Sequence, residues 1–155
     1  LPKEVCIRRA TLEDVAAIVR ITNAGGPDGK PRSELPQPIP PIYFETFKKI
    51  DATPDNEIMV VDRRGEVVGT FHLTYLRYLA AGGREDLQIE AVHVSEEHRN
   101  SGVGSLMMTW AIDQARRRGC RRVQLTTNKL RKDAHRFYRR LGFEDSHEGM
   151  KLCLD

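Results

Sequence analysis

IEAVHVSEEHRNSGVGS, residues 89–105, passes from an alternating apolar pattern through a polar turn toward a helix. Alternation along the strand Leu87–Val94 predicts Leu87, Ile89, Ala91 and His93 on one face. Gln88, Glu90, Val92 and Val94 then occupy the other, unless a bulge breaks the register. Beyond the strand, Arg99-Asn100-Ser101-Gly102-Val103-Gly104-Ser105 places two glycines where a helix begins. Glycine lets the backbone turn sharply and lets a ligand approach the main chain closely. The first N–H groups of a helix have no internal partner and point at any anion placed there. Arg99 adds a positive charge at the mouth, so the stretch reads as a pyrophosphate cradle. Two other phosphate motifs fail. The third glycine of G-x-G-x-x-G is Met107 here, and no G-x-x-x-x-G-K-[ST] string exists.

On the C-terminal side, Val103, Leu106, Met107, Trp110 and Ala111 recur at helical spacing. This helix is predicted to end near Arg118, with Gly119 in the C′ position. Arg122–Thr127 reads as a strand, Lys132–Leu141 as a helix closed by Gly142, and Glu148–Leu154 as a last strand. On the N-terminal side, Val5–Arg9 reads as a strand and Thr11–Asn23 as a helix. Thr11 is its N-cap and Asp14 its capping-box partner. Ile42–Ile50 reads as a short amphipathic helix. Glu57–Asp62 and Glu66–Tyr78 flank Arg63-Arg64-Gly65, a hairpin signal. Between the first two helices, Ala24–Pro41 holds three of the 12 glycines and six of the eight prolines, too many breakers for a helix or interior strand. Loops this long in compact domains are often lids or binding loops, so a substrate-lining role is expected.

The chain has 155 residues, which fits one domain spanning 1–155. A run of strands followed by alternating strands and helices indicates a mixed sheet flanked by helices. Hydrophobic residues make up 39% and charged residues 30%, ordinary for a soluble globular protein. No run approaches the roughly 18 apolar residues of a membrane span, and no signal-peptide core opens the chain. Cys6, Cys120 and Cys153 lie far apart and form no CxxC pair, so a disulfide framework or zinc site is not expected. A reducing, cytoplasmic setting is the simplest reading.

Charge is unevenly placed. Residues 99–140 hold 12 basic and 2 acidic side chains, while the rest hold 13 and 20, so balances of +10 and −7 sum to the net +3. Such a basic stretch suggests a polyanion partner, either a phosphorylated cofactor or nucleic acid. The acidic remainder mildly favours a cationic ligand. Aromatic residues are only 6%, few for a module that stacks bases. A metal reading of His93 and His98 with Glu96 and Glu97 matches no known ligand spacing, so no metal site is expected.

Arg99-x-x-Gly102-x-Gly104-Ser105, preceded by Ile89–Val94 and followed by an apolar helix, resembles the acetyl-CoA loop of the GCN5-related N-acetyltransferase (GNAT) family. Ala134-His135-Arg136-Phe137-Tyr138, closed by Leu141-Gly142-Phe143, resembles that family's second hallmark, and the strand between stands where the family places it. The resemblance implies an α/β fold with a mixed, mostly antiparallel sheet of six or seven strands and about four helices. A splay between Leu87–Val94 and Arg122–Thr127 would admit the cofactor's pantetheine. It further implies direct acetyl transfer from acetyl-CoA to a primary amine, on a small molecule or on a protein or peptide.

Within that resemblance, the cradle residues Arg99, Asn100, Ser101, Gly102, Val103, Gly104 and Ser105 would bind the cofactor. Main-chain groups of Val92, His93 and Val94 would hold its pantetheine like an added strand, with a main-chain N–H near Val92 meeting the oxyanion. The family's asparagine before the second helix is replaced by Arg131, with Asn128 three residues earlier; both are cofactor candidates. Glu90 would be the base that deprotonates the amine, with His72 and His93 as rivals. Tyr138 would protonate the leaving thiolate. Family habit makes a homodimer plausible. A non-catalytic acyl-CoA sensor and a nucleic-acid-binding module are the competing readings.

Overall fold

The computed structural model describes residues 4–154. Its elements are β1 (Val5–Arg9), α1 (Val15–Ala24), α2 (Pro41–Asp51), β2 (Asn56–Arg63), β3 (Glu66–Arg77), the single-turn α3 (Ala80–Gly83), β4 (Glu85–Val94), α4 (Val103–Arg118), β5 (Arg122–Leu125) and α5 (Lys132–Arg140). The strands form one sheet in the order β1-β2-β3-β4-β5. All neighbours are antiparallel except β4 and β5, which are parallel.

Local chemistry accounts for most boundaries. Arg64 and Gly65 both take positive φ, 55° and 86°, the two-residue turn whose twist suits a hairpin. The main-chain N–H of Thr11 donates to the Asp14 carboxylate at 2.8 Å. The chain takes one 3-10 turn, Leu12–Asp14, before α1 proper. Gly119 closes α4 at φ 77°, and the next N–H, of Cys120, reaches back to the Ala115 carbonyl at 2.9 Å. On β3, Gly69 lets α4 approach. A Cβ there would stand 3.0 Å from the Met107 sulfur and 3.2 Å from Val103.

The sheet has an apolar layer on each face. On one, Phe71, Leu73, Leu87 and Ile89 bury against Met107, Met108 and Ala111 of α4, with Phe137, Tyr138 and Leu141 of α5 alongside. On the other, Val60 packs with Val15 and Val19 of α1, Phe47 of α2, and Ile39. Trp110 meets Phe71 edge to face, with ring centroids 5.9 Å apart.

Two expectations are corrected. Among the described residues the sheet has five strands, not six or seven, because Glu148–Leu154 forms no strand. Gly149 approaches Thr126 past the end of β5, but Met150, Leu152 and Leu154 stay 89%, 86% and 93% exposed. The four expected helices are all present among the described residues, with the turn α3 besides. The second correction concerns β4. His72 pairs with Glu90, but Thr70 pairs with His93, so β4 holds one residue more than β3 across this interval. Ala91 takes φ 49° at the bulge. A bulge exchanges the faces beyond it. Val92 and Val94 therefore join Leu87 and Ile89 on the α4 side, packed against that core. His93 shares the opposite face with Glu90, where alternation had separated them.

Candidate active site

The bulge sits beside a gap in the sheet. β4 and β5 are in register from Asp86↔Arg122 to Ile89↔Leu125, and the pairing stops there. From Glu90 to Val94 the β4 backbone has no β5 partner among the described residues. Unpaired main-chain groups in a sheet demand a partner, whether water or a ligand running alongside. The closed end of the gap is pinned by Asp86. Its buried carboxylate accepts two bonds from Arg121, at 3.0 and 2.7 Å, and one from Arg122 at 2.8 Å. The Arg121 guanidinium, above all, holds the Asp86 carboxyl below its usual range.

Above the open end lies the glycine turn. Asn100 and Gly102 adopt φ 58° and 88°, and the first intrahelical bond runs from Leu106 N–H to the Gly102 carbonyl at 3.0 Å. The N–H groups of Val103, Gly104 and Ser105 precede that bond and are free for an anion. The Ser101 hydroxyl is used on the His98 carbonyl, at 2.5 Å. Across the turn, Phe137 of α5 lies 3.6 Å from where a Cβ on Gly104 would be. The next residue, Tyr138, is half-buried between Phe137 and Phe143, at centroid distances of 5.2 and 5.8 Å. Burial pushes its phenol up, with Arg131 opposing, so the hydroxyl keeps its proton across the neutral range.

A strand open beyond a bulge, a glycine turn capping the next helix and a tyrosine on α5 thus meet at one gap in the sheet. The model of the acetyltransferase (GNAT) family matches residues 28–143. The chain belongs to that family. It is an acyltransferase domain. Aminoalkylphosphonate N-acetyltransferase from Salmonella typhimurium is 36% identical over 91 residues, 55% of this chain and 54% of its own length. The match thus spans about half of that relative. Among solved structures, one described as a transcriptional regulator from Bacillus halodurans C-125 superposes with a TM-score of 0.90 at 39% identity, covering 97% of this chain and 99% of that one. A predicted acetyltransferase from Clostridium acetobutylicum, solved with acetyl-CoA, shares the fold at a TM-score of 0.71 and 19% identity, covering 97% and 96%.

The remaining residues singled out from the sequence fall around this GNAT framework. Glu90 is exposed, opposite His72 on β3. His72 bonds Asn56 through Nε2 at 3.1 Å, and burial lowers its pKa while Glu90 opposes. Asn128 points its side-chain oxygen at the Leu130 N–H, 2.9 Å away, to shape the turn before α5. Arg131 reaches across to the carbonyl of Gly25. His93 is packed against Gly25 so closely that a Cβ there would lie 2.4 Å from its Nδ1. Burial first, then Arg131, Arg32 and Arg99, lower the His93 pKa to about 4.

Gly25 and Arg32 were not singled out individually. Only the breaker density of Ala24–Pro41 marked their segment. His98 is bonded to Ser95 at 2.9 Å; Glu66, Glu97 and His98 gather their ligand atoms within 4.8 Å of one another. Burial raises the Cys120 thiol, which makes it a poor nucleophile. No helix among the described residues is long and apolar enough to cross a membrane.

Proposed function

We propose that this domain transfers the acetyl group of acetyl-CoA to the primary amine of a small molecule, by direct attack in a ternary complex. The observation that carries this reading is the open β4 edge at the Ala91 bulge, flanked by the glycine turn and by Tyr138. The fold shared with a protein solved with acetyl-CoA supports the choice of donor. The named activity of the Salmonella relative supports a small amine over a protein or peptide.

In this scheme the amides of Val103, Gly104 and Ser105 and the Arg99 side chain bind the cofactor's pyrophosphate, with Asn100, Ser101 and Gly102 shaping the turn. Main-chain groups of Val92, His93 and Val94 hold the pantetheine as a missing strand would. A primary amine with a pKa near ~10.4 is mostly protonated at pH 7, so it must lose a proton before it attacks. Glu90 takes that proton, directly or through water. The amine nitrogen bonds to the thioester carbon, and a main-chain N–H near Val92 meets the oxyanion. The C–S bond then breaks, and Tyr138 gives its proton to the thiolate. Arg131 and Asn128 stand at the α5 end of the gap. His72, opposite Glu90 on β3, is the rival base.

The nucleic-acid reading is weakened. Within the basic stretch, six of the 12 basic side chains, Arg117, Arg118, Arg121, Arg122, Arg136 and Arg139, are each paired with a carboxylate.

Thermal unfolding with acetyl-CoA, with NAD and a short RNA as controls, tests the binding step. At 100 times its dissociation constant a ligand adds roughly 2.7 kcal/mol. Stabilisation by acetyl-CoA alone, followed by acetylation of one or more amines in a panel, is expected. Stabilisation by RNA alone would overturn the reading. Acetyl-CoA binding with no product from any amine, in wild type and Tyr138→Phe alike, would instead mark a sensor.

A further inference from the structure

Gly25, just past α1, is a junction between segments distant in the chain. Its carbonyl oxygen accepts an N–H from Arg32 at 3.4 Å and another from Arg131. Arg32 belongs to the α1–α2 segment and also donates to the Thr22 carbonyl at 3.2 Å. Arg131 belongs to the turn entering α5. Two guanidinium groups that share one acceptor oxygen are close neighbours, and their charges repel. Among the described residues neither of them, nor Arg99, is paired with a carboxylate. The chain's other arginine clusters are different: Arg121 and Arg122 share Asp86, and Arg77 and Arg118 share Asp55 and Glu85. Among the described residues the pair at Gly25 has carbonyl partners and no carboxylate partner.

Position says which anion belongs there. The glycine turn for cofactor phosphates leads into α4, which packs on the Leu87–Ile89 face of the sheet. The arginine pair gathers on the opposite face, beside His93, which the bulge puts on the same side as Glu90. His93 packs on Gly25, whose carbonyl holds both guanidinium groups, and Glu90 shares the face of His93, so an amine at Glu90 and an acid at the pair would lie on one face of the sheet. Neutral His93 adds no charge between them, since its pKa is held near 4. Guanidinium forks match the oxygens of carboxylates and phosphates.

We propose that Arg32 and Arg131 grip an acidic group on the acceptor, making the substrate a short amino acid or aminoalkyl phosphate or phosphonate. This rests on the acetyl-transfer reading above and names the substrate class for it. It differs from the expectation of a cationic acceptor, which came from summing charge over the chain, because a sum does not locate the charges and the pair at Gly25 is positive.

The test measures kcat/KM with β-alanine, 2-aminoethylphosphonate, propylamine and putrescine, together with calorimetric binding of each amine and of acetyl-CoA. Wild type is compared with Arg32→Gln and Arg32→Lys, both checked for folding by circular dichroism. The acidic-tailed amines should exceed propylamine by about tenfold or more, and Arg32→Gln should lose about tenfold on them, the usual worth of a charge-assisted bond. Arg32→Lys should fall between, and acetyl-CoA affinity should hold in both variants. The contrast between the carboxylate and phosphonate probes identifies the acid. Equal or better use of propylamine or putrescine overturns the proposal. So does a Gln variant that weakens acetyl-CoA as much as the acceptor, since the pair would then serve cofactor phosphates. If acetyl-CoA fails to bind wild type, the acetyl-transfer reading falls by itself; calorimetry of the acidic amines still decides the clamp, and absence of binding overturns it.

Discussion

Replacing Asp86 by asparagine removes a buried negative charge on which two arginines converge. The carboxylate is fully buried and accepts three N–H bonds between 2.7 and 3.0 Å. It also opens the β4–β5 ladder, opposite Arg122. Breaking a buried ion pair costs about 3–5 kcal/mol. Arg121 and Arg122 are 32% and 46% exposed, so water takes up part of what the carboxylate gave. The expected loss is therefore about 2–3 kcal/mol at pH 7. For a domain of this size that lowers Tm by roughly 4–12 °C, and it should lower the urea midpoint with the slope unchanged. The pH dependence has a definite sign. The Asp86 pKa is lower in the folded chain than in the unfolded one. Its contribution is thus fully present above the ordinary carboxylate value of ~3.9 and is lost as pH falls through the folded-state value. Asparagine does not titrate, so the gap between wild type and variant should stay constant from about pH 5 to 8 and narrow in acid. A loss below about 0.5 kcal/mol, or a gap that does not narrow in acid, would refute the view that this carboxylate pins the closed end of the gap.

Three further predictions concern the proposed chemistry. Tyr138→Phe should lower kcat by about 10²-fold or more while acetyl-CoA still binds in calorimetry, because only proton delivery is removed; an unchanged kcat would remove Tyr138 from the mechanism. Glu90→Gln should lower kcat/KM by a similar factor. An unchanged kcat/KM would pass the role to His72. For His93, the folded pKa of about 4 lies below the ordinary value near 6.5, so the unfolded chain binds the proton first and wild type loses stability as pH falls between these values. His93→Gln should lose less over the same window, by on the order of 2 kcal/mol with solvent screening included. Parallel stability curves for the two proteins would show that the ring is not held neutral.

Local pattern was enough for much of this protein. The glycine turn at Gly102, the helix stop at Gly119, the Arg64–Gly65 hairpin and the helices after Thr11 and Arg131 all follow from interactions within a few residues. Those interactions are written in the order of the chain. The family resemblance rested on such segments, and it held. What failed was what depends on a distant partner. Alternation through Leu87–Val94 is real, but Ala91 carries no mark of a bulge; the register against β3 inserts it and turns His93 to the side of Glu90. Met150, Leu152 and Leu154 alternate as a strand should, yet no neighbouring strand takes up their backbone.

Charge behaved the same way. From the sequence, residues 99–140 were simply basic. Folding spends six of those arginines on carboxylates and leaves Arg131 beside Arg32, which lies almost a hundred residues away in the chain, on the carbonyl of Gly25. Sequence alone determined the turns, the helix ends and the family. The tertiary structure decided which face each side chain takes, where the sheet parts and which charges stay unpaired, because strand register and ion pairing are set between residues that meet only when the chain folds.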